Sequence, residues 1–380
     1  MRVLLDVSAV PDEITGAGVY TTELVRALAP RDDLELVLVA RKTDRARWAR
    51  IAPTADVRNV VPSARPARLV WEQLAAPRLA AKAHADVWHG PHYTMPLRLT
   101  IPAVVTVHDL TFFDHPEWHE RAKVFFFRRA IRASARRAAT LVCVSDATAR
   151  RLEAVAPAIG SVFVVNHGVD TERFTTAADS DGDRTRLAAL GVTPPYLAFV
   201  GTIEPRKNVP ALVDAFTRVA ADHDGLTLVL AGHDAWGAGA VDAAVASSAV
   251  ADRIVRTGYV PADALPALLR GASAVVYPSF EEGFGLPPLE AMACGAPVLT
   301  SGDVAAVDLA GGAVAVTQNV DPESLARGIR GVLEPATQAR LRAAGPAVAA
   351  RFSWAGAADR HVEAYRAAIS AGVSRGRSRR

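Results

Sequence analysis

Short apolar runs of strand length recur along this chain with helical stretches between them, and they form two series of six. The first series occupies residues 3–7, 34–39, 86–89, 103–108, 141–144 and 162–165; the second occupies 197–201, 226–232, 254–258, 275–277, 298–300 and 313–316. A strand apolar along its whole length must be covered on both faces, and alternation with helices supplies that cover in a parallel sheet. Two such series predict an α/β protein of two doubly wound domains. The length of 380 residues agrees, since one core rarely serves much more than ~150 residues.

The series are separated by TERFTTAADSDGDRTRLAALGVTPP, where Asp, Ser, Thr, Gly and Pro displace the apolar periodicity; it reads as a linker running into the first helix of the second domain. The expected division is a first domain over residues 1–175, a second over 176–355 and a basic tail at 376–380, with the tail SRGRSRR disordered. Residues 352–369 have the pattern of an amphipathic helix capped by Ser353. Cys143 and Cys294 lie far apart in apolar runs and read as small core residues, which suits a reducing cytoplasm. No apolar run reaches the ~18 residues needed to span a bilayer, and Met1 leads into RVLLDV without a secretory leader, so a cytoplasmic protein is expected.

The sharpest local signal is VVYPSFEEGFGLPPLEAMACGAPVLT, residues 275–300. It reads as a buried strand, a loop turned by Gly283 and Gly285, a helix opened by Pro287 and Pro288, and another strand. Glycines before a helix start let the backbone approach a ligand, and the helix N-terminus favours an anion. Glu282 and Glu290 bracket that anion site. The segment closely resembles the donor site of the family 4 retaining glycosyltransferases of the GT-B class, whose two Glu are separated by seven residues, usually as EGFGLPxLEAMACG. The resemblance covers nearly the whole chain. It implies two Rossmann-like domains facing a central cleft, a last helix (356–375) that packs back on the acceptor-side first domain, and a nucleotide-sugar co-substrate, GDP-mannose or a UDP-sugar, with no further cofactor and no metal. In this resemblance Glu290 holds the ribose hydroxyls, Glu282 bonds the transferred sugar, and Gly283, Phe284, Gly285 and Leu286 line the donor.

Three further segments sit at strand ends, where open parallel sheets bind their ligands. TVHDLTFF (106–113) matches the family's sugar-contacting histidine segment, so His108 is expected to donate to a sugar hydroxyl or to stabilise anomeric charge through its carbonyl, while Asp109 orients the imidazole or caps a turn. GTIEPRKN (201–208) resembles bacterial mannosyltransferases and makes Arg206 and Lys207 the cations for the departing diphosphate. Many relatives place an Arg directly after the Gly of this segment, where Thr202 stands here. TGYVP (257–261) corresponds to the family's nucleobase seat, with Gly258, Tyr259 and Val260 reading the base by main chain. Gly16 and Gly18 follow the first strand and match the family's G-x-G near donor phosphate and acceptor, though Val19 stands where relatives often carry Arg. VVNHGVD (164–170) resembles a structural family turn, and Ser145 suits a helix cap.

Catalytic roles are therefore expected for Glu282, His108, Arg206 and Lys207, in transfer of a hexosyl group, mannosyl by the resemblance, to a glycan, lipid-linked or small-molecule hydroxyl. The net charge of +3 is small and no nucleic-acid partner is implied. The helix RAKVFFFRRAIRASARR (121–137) carries seven cations and no acid; it suits either peripheral contact with an anionic membrane or packing of Phe125 and Phe126 into the first domain with arginines in water. Two other classes remain. An NADP-dependent oxidoreductase would use Arg41 after the second strand, but Thr21 stands where a dinucleotide fingerprint has its third glycine. The other is a binding module or an inactive glycosyltransferase relative, against which the presence of both glutamates and both cations argues.

Overall fold

The computed structural model describes residues 1–14, 16–302 and 310–377, with side chains through 372. It divides into two compact units: Met1–Gly168 together with the helix Trp354–Arg377, and Val169–Ser353.

The first unit is built on seven parallel strands, β1 (Arg2–Asp6), β2 (Glu35–Arg41), β3 (Asp56–Val61), β4 (Val87–Gly90), β5 (Ala103–Val107), β6 (Thr140–Cys143) and β7 (Ser161–Val164), in the order β3-β2-β1-β4-β5-β6-β7. Strands β4, β5 and β6 are buried along their whole length, as their apolar sequences require. The apolar pattern did not announce β3. DVRNVV interrupts its valines with Asp56, Arg58 and Asn59, which an edge strand tolerates because one side of it meets water.

The strand order reverses between β1 and β4. These are paired in parallel with Leu5 opposite His89, so Asp6 and Gly90 end side by side. Such a reversal leaves a crevice beyond the strand ends.

The second unit repeats the plan with β8 (Tyr196–Val200), β9 (Thr227–Ala231), β10 (Ile254–Gly258), β11 (Ala274–Tyr277), β12 (Val298–Ser301) and β13 (Ala315–Thr317) in the order β10-β9-β8-β11-β12-β13. Its reversal falls between β8 and β11. Cys143 and Cys294 are buried free thiols, both pushed up to about 12 by desolvation, as core residues should be.

The helix Trp354–Arg377 belongs to the first unit because of the face it buries. Trp354, Ala357, Ala358, His361, Tyr365 and Ala368 are buried, recurring along one face of the helix. A directed chain of hydrogen bonds fixes its register. The Ala357 carbonyl only accepts, so His361 Nδ1 carries the proton and Nε2 accepts from the Tyr20 hydroxyl at 2.8 Å. Tyr20 then accepts from Thr106, Thr106 from His89 Nε2, and His89 Nδ1 from the Tyr365 hydroxyl, at 2.8, 2.9 and 2.8 Å. The network is satisfied only with both imidazoles neutral, and burial holds both well below the usual histidine range. Because the helix runs to Arg377, the first four residues of the tail expected to be disordered are helical instead; residues 378–380 lie outside the described residues.

Candidate functional site

At the reversal of the second sheet, the loop after β8 and the loop after β11 bring Arg206, Lys207 and Glu282 together. Pro205–Lys207 form one 3₁₀ turn closed by Asn208 in the left-handed region, which aims consecutive cations the same way. Glu282 Oε1 lies 2.6 Å from Lys207 Nζ and 2.7 Å from the Arg206 guanidinium. Arg206 also donates to the Glu281 carbonyl at 2.9 Å and pairs with Glu204 at 2.7 Å.

Burial by itself would raise Glu282, but Arg206 and Lys207 outweigh it and hold the carboxylate at about 2. Lys207, 6 % exposed, is pulled below the ordinary lysine range by desolvation, which Glu282 partly offsets. The ammonium also donates to the Tyr277 hydroxyl at the end of β11 and sits 4.5 Å from that ring's centroid.

Gly285 is the residue before the helix Leu286–Ala293, at φ 105°, a conformation that penalises any side chain. One expectation needs correction here. A helix start ordinarily offers its first-turn N–H groups to an anion, but Pro287 and Pro288 carry none. The helix adds its dipole, and hydrogen bonds to a phosphate are left to the Leu286 N–H and the glycine loop. Glu290 follows on the same helix, 9 % exposed. Gly258 ends β10 at φ 65°, and Tyr259 beside it is 37 % exposed.

The first unit holds the remaining candidates. His108 follows β5, and its Nε2 donates to the Pro91 carbonyl at 2.8 Å. That bond uses the N–H expected to serve a sugar hydroxyl; in the neutral ring, favoured by burial, Nδ1 is left as an acceptor. Asp109 accepts from the Thr111 hydroxyl at 3.0 Å and so closes a turn. Gly16, at φ 50°, caps the helix Ala17–Leu28. Gly18 is buried, and a Cβ there would stand 3.2 Å from Pro11 and 3.4 Å from Ile14, so its smallness serves loop packing. Ser145 caps the helix Asp146–Val155 by accepting from the Thr148 N–H at 3.1 Å. Arg41 is paired with Asp44 and Asp12, both at 2.7 Å, which removes the cation an NADP phosphate would need.

Residues 14–173 match the model described as Glycosyltransferase Family 4, and residues 194–335 match the one described as Glycosyl transferases group 1. The chain is 30 % identical over 413 residues to the D-inositol 3-phosphate glycosyltransferase of Salinispora arenicola, covering 94 % of this chain and 88 % of that one. It is a glycosyltransferase. The O-antigen chain mannosyltransferase B of Escherichia coli is 29 % identical over 394 residues, 96 % of this chain and 100 % of the relative. Among solved structures, the sucrose-phosphate synthase of Thermosynechococcus elongatus superposes with a TM-score of 0.78 at 20 % identity, covering 98 % of this chain and 100 % of that one. The fold of this glycosyltransferase is GT-B.

Sequence reasoning about the glycosyltransferase missed Tyr277 and Glu204. Tyr277 read as a strand residue and carries no motif letter, yet its hydroxyl is a partner of Lys207. Glu204 stood inside GTIEPRKN, where alternation of an acid with two cations was the signal available.

Proposed function

We propose that this glycosyltransferase moves a mannosyl group from GDP-mannose to a hydroxyl on a glycan, lipid-linked or small-molecule acceptor, with retention at the anomeric carbon and without a metal ion. The observation that carries the reading is the Arg206–Glu282–Lys207 cluster at the strand reversal of the second unit. The mannosyl choice rests on likeness to the E. coli mannosyltransferase over nearly the full length of both chains.

A departing diphosphate gains charge in the transition state, and cations already held in a dry site stabilise it without reorganising. Arg206 and Lys207 supply them, with the dipole of the helix Leu286–Ala293. A carboxylate held at about 2 is a poor proton acceptor at neutral pH, which argues against Glu282 as general base. Glu282 instead keeps the two cations in place and bonds the transferred sugar, Glu290 takes the ribose hydroxyls, and Gly258, Tyr259 and Val260 border the base. The acceptor's proton passes to the leaving phosphate oxygen on the same face. His108 meets the sugar through Nδ1 as an acceptor or through its carbonyl.

Peripheral membrane contact forms part of the same reading. Arg121, Phe125, Arg129, Arg132 and Arg136 recur every three or four residues on the exposed side of the helix Arg121–Arg137, with Phe125 67 % exposed, while Val124, Phe127 and Ile131 face the core. No helix among the described residues is long and apolar enough to cross a membrane.

The test is a panel of nucleotide sugars scored by thermal stabilisation and by release of free nucleotide. GDP-mannose should stabilise the chain most and be turned over. Glu282→Ala should lower turnover by orders of magnitude while nucleotide binding persists; near-normal transfer by that variant removes Glu282 from the mechanism.

A further inference from the structure

An ammonium group has three N–H bonds to direct, and two of those on Lys207 are taken within the second unit. One goes to Glu282 Oε1 at 2.6 Å and one to the Tyr277 hydroxyl. Among the described residues no third acceptor meets this nitrogen.

Tyr277 holds the cation twice over, through its hydroxyl and through a ring whose centroid lies 4.5 Å from Nζ. The ring cannot swing away. It is 1 % exposed at the end of β11 and stacks on Phe199 of the adjoining β8, with centroids 6.1 Å apart and planes 16° from parallel. On another side the lysine is bordered by Gly201, where a Cβ would stand 3.8 Å from Lys207 Cε and 3.9 Å from Nζ.

Packing on Phe199 explains an aromatic ring at position 277, and a phenylalanine would serve it equally. The hydroxyl needs a further reason, because burying one is costly unless it is bonded. Burial, with the Glu282 charge adding to it, pushes this phenol well above its ordinary range, so it stays protonated. Having accepted from Lys207, it gives its own proton to Glu282. Lysine, phenol and carboxylate thus close a triangle. A lysine ammonium otherwise turns freely about its last bond, and two acceptors fix that rotation where one would not. Donors fixed before charge develops stabilise it without reorganising.

We propose that Tyr277 is a positioning residue, whose hydroxyl fixes the Lys207 ammonium about the Cε–Nζ bond so that the third N–H is presented to the terminal phosphate of a nucleoside diphosphate. The proposal rests on the glycosyltransferase reading for the role of Lys207 and adds a residue that lies outside the donor motifs. Glu282, Arg206 and Glu204 are the charged groups facing Lys207. Tyr277 is neutral, so its hydroxyl can be removed with no change of charge in the site.

The experiment is calorimetric titration of the full chain with GDP and GMP, and with UDP and UMP, reading the ratio of diphosphate to monophosphate affinity. Tyr277→Phe keeps the ring, its stack on Phe199 and the cation–π contact, and should lower that ratio about tenfold. The monophosphates should bind it as they bind the wild type, which reports a folded second unit. In a Lys207→Met background the same substitution should change nothing further, because the group it positions is gone. A packing role alone would act whether or not Lys207 is present. The ratio should also fall at alkaline pH as Lys207 loses its proton, and taking the ratio cancels the titration of the base. A hydrogen bond from the ammonium to the phenol favours the charged lysine, so Tyr277→Phe should bring that fall about one pH unit lower.

An unchanged ratio and pH profile in Tyr277→Phe, or equal losses with and without Lys207, overturns the proposal and leaves the donor reading standing. If the wild type binds neither diphosphate better than its monophosphate, the role given to Lys207 falls, and the proposal falls with it. If the effect is present only with the uridine pair, Tyr277 keeps its role and a UDP-sugar replaces GDP-mannose as the donor.

Discussion

Lowering the pH from 7.5 to 5 should loosen the first unit through one side chain in particular, His361. It is fully buried, its Nδ1 donates to the Ala357 carbonyl and its Nε2 accepts from Tyr20, so a second proton has no acceptor to meet. Desolvation depresses its pKa to about 4, against ~6.5 in an unfolded chain. As pH falls below the unfolded value the unfolded state takes up the proton first, and stability drains away until the folded value is reached. At pH 5 the loss from His361 amounts to about 2 kcal/mol relative to pH 7.5, with a limiting slope of ~1.4 kcal/mol per pH unit. His361→Gln keeps a polar group facing Tyr20 and cannot titrate. Trp48, Trp71, Trp88, Trp118 and Trp354 lie in the first unit and only Trp236 in the second, so urea unfolding followed by tryptophan fluorescence reports mainly the first unit. The wild type should lose about 2 kcal/mol more than His361→Gln over this pH interval. Neighbouring His89 and His167 titrate in both proteins, and His361 contributes to their depression, which enlarges the difference in the same direction. Equal losses in the two proteins would refute the directed hydrogen-bond chain.

Three further outcomes follow from the same structure. Glu282→Gln should destabilise the second unit by about 3–5 kcal/mol, because it strands a buried ammonium, and adding Lys207→Met should recover most of that loss; chemical denaturation with hydrogen exchange at β11 measures it, and an additive double mutant would show that the pair is not coupled. Gly285→Ala forces a side chain to φ 105° and should weaken nucleotide binding about tenfold or more, with a strain of ~1–3 kcal/mol; unchanged affinity by calorimetry would mean the loop does not hold the phosphate. Liposome flotation should recover more protein as anionic lipid is increased, and Phe125→Ser should reduce the bound fraction; protein that stays in solution at high anionic content leaves the helix Arg121–Arg137 with a packing role alone.

Much of the donor-side cluster was readable because its residues fall within short contiguous segments. GTIEPRKN and EEGFGLPPLE each place their charged groups at a strand end, and a parallel sheet brings successive strand ends to one edge. Within these segments the letters were readable and the bonds were not. His108 looked like a donor until Pro91, from another strand's end, was found to accept its N–H. Phe125 counted as part of the apolar stripe, but helical phase places it with the arginines, over Arg129, and gives the core to Val124 and Phe127.

The chain alone determined the class of fold, two wound sheets, and the segments bearing the donor chemistry, since strand periodicity and local motifs are properties of neighbouring residues. Tertiary structure decided everything that depends on residues distant in sequence. It set a polar edge strand into the sheet, carried His361 to Tyr20 across 341 positions, and gathered Asp6, Arg68, Glu72 and Lys123 around one cavity from three separate elements. No local pattern encodes those meetings, because each exists only after the intervening chain has buried its own apolar faces.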